Sequence, residues 1–253
     1  MPPTELQCIE KLREQELEEA RVIQSGMMPC QPLHVDRVFI SHEFQPVMEV
    51  GGDYLDYFAR PDGKIGLYIG DFSGKGLPAA LYAALAVGTL HGVHKTGLEP
   101  GQVLALQNER LLLRGIPARH TAIQYAIFDA TQAQMKIASA GMPAPLLLRG
   151  KDYQLLQIAG LPPGLFPEAT YDEFTLQLEP GDSVLFCTDG LTDARNRRDR
   201  EFELEGLQEL CQRCAGDSPL DLLNHIFTSQ EFTAGCRQWD DMTAAIFHYF
   251  PLP

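Results

Sequence analysis

Along the chain, the spacing of apolar and polar positions changes several times, and each change marks an element. Pro3 to Met27 is rich in Glu, Gln, Lys and Arg and predicts one helix, ended by Pro29 and Pro32. Leu6, Ile9, Ala20, Ile23 and Met27 fit an a/d spacing, but Arg13 and Glu16 interrupt it, which makes a poor coiled coil. Two readings stay open: a solvated helix docked by its C-terminal half, or a dimerisation or signal-input helix. Short strand patterns follow over Arg37–Glu43, Tyr54–Ala59 and Lys64–Asp71, with Pro61-Asp62-Gly63 as a turn. Leu77–His94 predicts a helix, since Pro78 is acceptable in a first turn. Its face of Leu81, Leu85, Val87, Gly88 and Leu90, with four alanines, is expected to pack on a sheet. Gln102–Arg114 predicts a second helix. Strands resume over Thr121–Asp129, Gln134–Ala140, Pro145–Arg149, Tyr153–Ile158, Phe174–Leu178 and Ser183–Thr188. Helices over Glu203–Cys214 and Pro219–Gln230 precede a last strand, Met242–Phe250.

Hairpin-linked strands with grouped helices argue for an α+β fold with antiparallel sheets, and the helices need sheet faces to cover. A layered sandwich is therefore expected. No internal repeat, low-complexity segment or second domain stands out.

Composition narrows the functional classes. Of 253 residues, 45% are hydrophobic and 21% charged, so a sizeable core can form. A formal charge of −14 argues against a nucleic-acid or anionic-membrane binder, because both need basic patches. It does not exclude a phosphorylated substrate, since bound divalent ions reverse the sign of a carboxylate-lined site. The N-terminus has no apolar core of a signal peptide, and no run approaches the ~18 apolar residues needed to span a membrane. A cytoplasmic location and free thiols for the six cysteines are expected.

The chemistry concentrates in aspartates set in tight phrases: Gly51-Gly52-Asp53, Gly70-Asp71-Phe72-Ser73-Gly74, Thr188-Asp189-Gly190 and Asp240-Asp241-Met242-Thr243. Carboxylates without a Cys/His cluster are the ligand set of hard cations such as Mg²⁺ or Mn²⁺. Two such ions a few ångströms apart can activate a water and clamp a phosphoryl group. Read singly, the phrases also admit plainer roles. Asp53 would form an Asx turn at a strand start, and Asp71 would sit in a capped strand-to-helix turn. Lys75 suggests a P-loop, but GxxxxGK[ST] is not satisfied. His91 and His94, at i and i+3, lack a third ligand in sequence. Cys211 and Cys214 form CxxC within a helical pattern without a second pair. Both pairs are read as structural. Ser139 is not in a GxSxG phrase and is not read as a nucleophile. Trp239 is expected to pack beneath the cleft rather than line it.

GGDYLD, GDFSGKGLPAAL, SAGMPAPLLL, GLPPGLF, FCTDGLTDARN and DDMT, in this order from about Met28 to Phe250, resemble the SpoIIE/RsbU-like branch of the metal-dependent (PPM, type 2C) serine/threonine phosphatases. The resemblance implies a four-layer α-β-β-α sandwich of two antiparallel sheets, with 1–28 as an N-terminal helix and 29–253 as the phosphatase domain. It implies two Mn²⁺ or Mg²⁺ ions. Asp71 would bridge them, with the backbone carbonyl of Phe72 as a further ligand. Asp53 would bind the second ion, Asp189 would bind the first and reach toward the second, and Asp240 would be the ligand of the Asp240-Asp241 pair. Asp241 and Thr243 would shape the turn. Asp193, where the family usually carries Glu, would be structural or helix-capping. The implied substrate is a phosphorylated STAS-type anti-sigma-factor antagonist in bacterial partner-switching. Most relatives carry a sensor domain upstream. With only about 28 residues before the fold, input would come from an activating partner, another chain or a homodimer contact through the N-terminal helix. The rivals are a non-catalytic pseudophosphatase, which would tend to lose a carboxylate, and a nucleotide phosphohydrolase or cyclase. Against the last stand the missing Walker phrase and the Tyr54-Leu55 that replaces the cyclase Glu-Phe.

Overall fold

The computed structural model describes residues 5–113, 119–196, 199–229 and 238–251. The ends expected at Arg114 and Gln230 lie outside these residues. The elements run α1 (Glu5–Ser25), β1 (Leu33–Val35), β2 (Val38–Gln45), β3 (Asp53–Ala59), β4 (Ile65–Phe72), α2 (Gly76–Val93), α3 (Pro100–Leu113), β5 (Thr121–Asp129), β6 (Gln134–Ala140), β7 (Leu146–Arg149) and β8 (Asp152–Leu155). They continue with β9 (Phe174–Gln177), β10 (Ser183–Cys187), α4 (Asp189–Thr192), α5 (Glu203–Arg213), α6 (Pro219–Thr228) and β11 (Met242–Tyr249).

The strands form two antiparallel sheets. One has the order β1-β2-β11-β10-β7-β8 and the other β3-β4-β5-β6-β9. Period-two alternation sorts each strand's side chains between two layers. Val184 and Phe186 of β10, with Ala245 and Phe247 of β11, meet Leu55, Leu67, Ile69 and Ile137 of the second sheet in the central core. The opposite faces are covered by helices. Leu185, Ala244 and Ile246 pack with Leu207, Leu210 and Leu222 of α5 and α6. Tyr54, Tyr68 and Ile123 pack with Ala83, Leu90 and Leu104 of α2 and α3. The result is the α-β-β-α sandwich expected from the sequence.

Helix α2 corrects one expectation. Its buried face is Ala79, Ala80, Ala83, Ala86, Val87, Leu90 and Val93, while Leu81 is 66% exposed and Leu77 and Leu85 also face out. A helix that is apolar all round has no dominant face. Here the small alanines win the sheet side because they let the helix backbone approach closely. By length and composition α2 is apolar enough to cross a membrane, the single such helix among the described residues, and it lies on the second sheet.

Two glycines of β4 make room for aromatic rings of the neighbouring strand. Gly66 stands opposite Phe58 in register, and a Cβ there would lie 2.5 Å from Phe58 Cζ. The ring has little freedom to retreat, because it stacks on His94 with centroids 3.4 Å apart. Overpacking of this kind costs about 1–3 kcal/mol. Gly66→Ala should therefore lower stability by that amount in urea unfolding, and Phe58→Leu in the same chain should recover part of the loss. An unchanged midpoint would mean that the Phe58–His94 stack yields freely.

Candidate metal centre

One edge of the sandwich collects the aspartates. Asp53 opens β3 and Asp71 lies near the end of β4, and the antiparallel register places the two residues directly opposite each other. Both are contributed by the five-stranded sheet. The other sheet supplies Asp189, at the first turn of α4 just after β10, and Asp240 and Asp241, just before β11. The structure thus brings all the expected carboxylates to one place, with the Phe72 carbonyl among them.

Asp53 is only 1% exposed. Its Oδ2 accepts hydrogen bonds from the Thr188 hydroxyl at 2.8 Å and the Thr243 hydroxyl at 2.5 Å. These hydroxyls stand at the ends of β10 and β11, so the contact joins the two sheets. Burial and the neighbouring charges of Asp71 and Asp241 still raise the Asp53 pKa well above the ordinary value. Asp71 is pushed up to about 7, first by burial and then by Asp189, Asp240 and Asp241. Asp189 is raised by burial and by Asp193 and Asp240. The shifts share one direction and one cause: a charged carboxylate is disfavoured next to others in a poorly hydrated edge.

A cation fits this donor set. The oxygens of Asp71 and of the Phe72 carbonyl converge beside Gly52, where a Cβ would sit 2.5 Å from the carbonyl oxygen and 3.0 Å from Asp71 Oδ1. Glycine keeps that cradle open. Among the described residues Lys75 is a cation in direct contact with the cluster, its Nζ 2.9 Å from Asp240 Oδ2. It balances one carboxylate and leaves the others uncompensated.

Asp240 and Asp241 differ sharply. Asp240 is half-buried and engages Lys75, whose ammonium also donates to the Trp239 carbonyl. Asp241 is 2% exposed, and its two oxygens are occupied by backbone N–H groups, Val47 to Oδ1 at 2.8 Å and Gly52 to Oδ2 at 2.7 Å. Asp241 therefore fixes the loop that leads into Asp53. Gly51 is required beside it, since a Cβ at Gly51 would overlap the Asp241 carboxylate. Asp193 ends α4 as its C-cap. Trp239 is 47% exposed beside Asp240, not packed beneath the cleft.

Several contributors were not legible in sequence. Thr243 was expected only to shape the turn, and Thr188 was given no role, yet both hydroxyls hold Asp53. Gln24 of α1 is 4% exposed. Its Nε2 donates to the Gly51 carbonyl at 2.7 Å, and its Oε1 accepts from the Gly51 N–H at 3.0 Å. The N-terminal helix is thereby tied to the Asp53 loop two residues from the carboxylate. No sequence pattern separates Gln24 from the other glutamines of the helix. Ser139 accepts from Gln124 Nε2 at 3.1 Å, and burial pushes the Cys187 thiol up to about 12.

Comparison with known proteins follows the same lines. The family model for stage II sporulation protein E (SpoIIE) matches residues 61–250. The chain belongs to the SpoIIE family. Its curated relatives include proteins named phosphoserine phosphatase, and its fold is that of solved PP2C domains. Among curated relatives, phosphoserine phosphatase RsbU of Bacillus subtilis (strain 168) is 26% identical over 244 residues, covering 95% of this chain and 72% of RsbU. Protein IcfG of Synechocystis is 24% identical, and there the match spans 90% of this chain but 40% of the relative. Among solved structures, the SiaA PP2C domain of Pseudomonas aeruginosa superposes with a TM-score of 0.82 at 22% identity, covering 95% of this chain and 98% of that one. RsbX in complex with magnesium gives 0.67 at 15% identity, covering 87% and 98%. These structures share the fold of this chain.

The Gln24 clamp yields a direct expectation. Gln24→Glu keeps the acceptor for the Gly51 N–H but removes the donor to its carbonyl, and Gln24→Ala removes both. A buried group left unsatisfied costs about 1–3 kcal/mol. Thermal unfolding should rank wild type above both variants, and the Mn²⁺ concentration giving half-maximal thermal stabilisation should rise in Gln24→Ala. Equal melting and equal metal response would mean the loop holds itself without α1.

Proposed function

We propose that this SpoIIE-family chain hydrolyses phosphoserine or phosphothreonine on a STAS-type regulatory protein, using two Mn²⁺ or Mg²⁺ ions held by Asp53, Asp71, the Phe72 carbonyl, Asp189 and Asp240. The observation that carries the reading is the convergence of these oxygens from both sheets in a cradle kept open at Gly52, with carboxylate pKa values raised by burial and mutual repulsion. The magnesium complex of the structurally similar RsbX supports a hard divalent cation. The likeness to phosphoserine phosphatase RsbU supports the substrate class.

Such ions, when bound, supply an activated water and charge stabilisation for in-line attack on phosphorus. The chain's own residues do the positioning. Asp71, within hydrogen-bond reach of Asp53 and electrostatically coupled to Asp189 and Asp240, belongs to both halves of the donor set. Thr188 and Thr243 hold Asp53 in one rotamer against the repulsion of Asp71. Asp241 and Gln24 immobilise the loop that carries Gly52, so the cradle is formed in advance. Lys75 holds Asp240 at the mouth of the cleft. The arrangement needs no protein nucleophile.

The N-terminal helix is proposed as the input element of the 29–253 phosphatase domain. Leu6, Ile9, Leu12, Val22 and Ile23 of α1 are exposed, as is the stripe of Leu77, Leu81 and Leu85 on α2. An activating partner or a second copy of the chain would cover such faces, and Gln24 would carry the effect to the Asp53 loop.

Phosphate release from a phosphorylated STAS-domain protein, with Mn²⁺ and with Mn²⁺ plus chelator, tests the reading against GTP turnover. Asp71→Asn should reduce the rate by more than about a hundredfold, since each 1.4 kcal/mol of lost transition-state stabilisation is about tenfold. Asp240→Asn should lose activity with little change in melting. Asp241→Asn should instead lower the melting temperature, because an amide cannot accept from both the Val47 and Gly52 N–H groups. Near-normal activity of folded Asp71→Asn at saturating Mn²⁺ would falsify the assignment. Metal binding without phosphate release would favour a pseudophosphatase.

A further inference from the structure

Far along the chain from Asp53 and Asp71, the turn between α5 and α6 gathers three side chains of different chemistry. Cys214 caps the end of α5, Asp217 lies in the turn, and His225 sits on α6. Cys214 Sγ is 3.2 Å from His225 Nδ1, and Asp217 Oδ2 is 3.1 Å from the same nitrogen. One donor atom from each residue falls within 4.8 Å of the other two.

A thiol, an imidazole and a carboxylate together suggest a nucleophile relay. That relay requires the thiol and the carboxylate on opposite ring nitrogens, so that the carboxylate orients the base. Here both address Nδ1, which carries at most one hydrogen. Three donors facing one point suit a cation instead. Zn²⁺ bonds sulfur at about 2.3 Å and nitrogen or oxygen at about 2.0–2.2 Å, which sets tetrahedral neighbours roughly 3.3–3.6 Å apart. The two separations to His225 Nδ1 need to open by only a few tenths of an ångström. Asp217 and His225 can make that adjustment, with side chains 38% and 51% exposed.

The donor set also chooses the ion. Thiolate with imidazole selects Zn²⁺, whereas Mg²⁺ and Mn²⁺ favour the oxygen donors around Asp71. Cys211, one turn earlier, does not join the set. It is buried in the apolar cluster under α5, where its thiol is pushed up to about 12. Cys214 and Asp217 line a cavity of about 470 Å³, with Tyr153, Lys151 and His248, which leaves space for water or a further ligand as fourth donor.

We propose that Cys214, Asp217 and His225 form a zinc site, separate from the phosphatase centre, that clips the end of α5 to α6. The ion would cross-link the two helices that cover the outer face of the six-stranded sheet. The site shares no residue with the phosphatase centre, so it stands or falls independently of the ligand roles proposed there.

Cobalt substitution reads thiolate ligation directly. The full chain, reduced and held in excess Mg²⁺ so that the oxygen donors are occupied, is titrated with Co²⁺ alone. A near-ultraviolet thiolate-to-cobalt charge-transfer band should grow to one equivalent and be displaced by Zn²⁺. Cys214→Ser should abolish it, and His225→Ala, at an exposed position, should weaken binding at least about tenfold. Cys8→Ser, on the exposed face of α1, should leave it unchanged. Zinc should raise the melting temperature of wild type and not of His225→Ala. No band in the wild-type protein, or a band that persists in Cys214→Ser, would overturn the proposal.

Discussion

The Asp53 carboxylate is the junction on which the site depends. It rises from the edge strand of one sheet and is held by two threonine hydroxyls from the ends of two strands of the other. Hydrogen bonds to an ionised group are worth more than neutral ones, and leaving such a group unpaired in a buried place costs several kcal/mol. The two sheets are therefore pinned at this edge by the same residue that faces Asp71. Packing of Phe247, Leu55 and their neighbours holds the sheets together over their whole area, but a hydrophobic contact tolerates sliding. The threonine–aspartate contact does not, and it sets the spacing of oxygens contributed from opposite sides.

Around that junction the chain devotes buried polar groups to one short loop. Val47, Gly51 and Gly52 carry backbone N–H groups that would otherwise be unpaired beneath the surface, and Asp241 and Gln24 satisfy them. This accounts for the adjacent aspartates before β11. One of the pair, Asp241, is a scaffold for the loop, and the other, Asp240, remains at the mouth beside Lys75. The division of labour also explains why the first-turn region of α2 bears a lysine: it offsets one charge of the cluster without entering the cradle at Gly52.

Much of this was legible in the sequence, and the reasons are physical. Strands alternating with turn phrases such as Pro61-Asp62-Gly63 reveal themselves because one face must be buried. A carboxylate directly after an apolar strand, as in Val184 to Asp189, stands out because packing cannot explain it. The face of α2 was misjudged because leucine is the more hydrophobic residue, whereas close approach to the sheet favours the smaller alanine. The three-residue strand β1 and the four-residue helix α4 were missed because a periodic signal needs more residues to show itself. Gln24, Thr188 and Thr243 were invisible as partners of Gly51 and Asp53, since a hydrogen bond across 27, 135 or 190 positions leaves no local mark.

Strand β11 lies between β2 and β10, although it is the last strand of the sequence. During synthesis, β2 and β10 are complete before it exists, and each then presents an open hydrogen-bonding edge. The six-stranded sheet becomes continuous only when this final strand inserts, and the same insertion delivers Thr243 to Asp53. The last strand to be made thus occupies a central position in the sheet. A polypeptide ending before Met242 lacks both the strand that joins β2 to β10 and the Thr243 hydroxyl that completes the hold on Asp53, so one short C-terminal segment serves sheet continuity and carboxylate placement together.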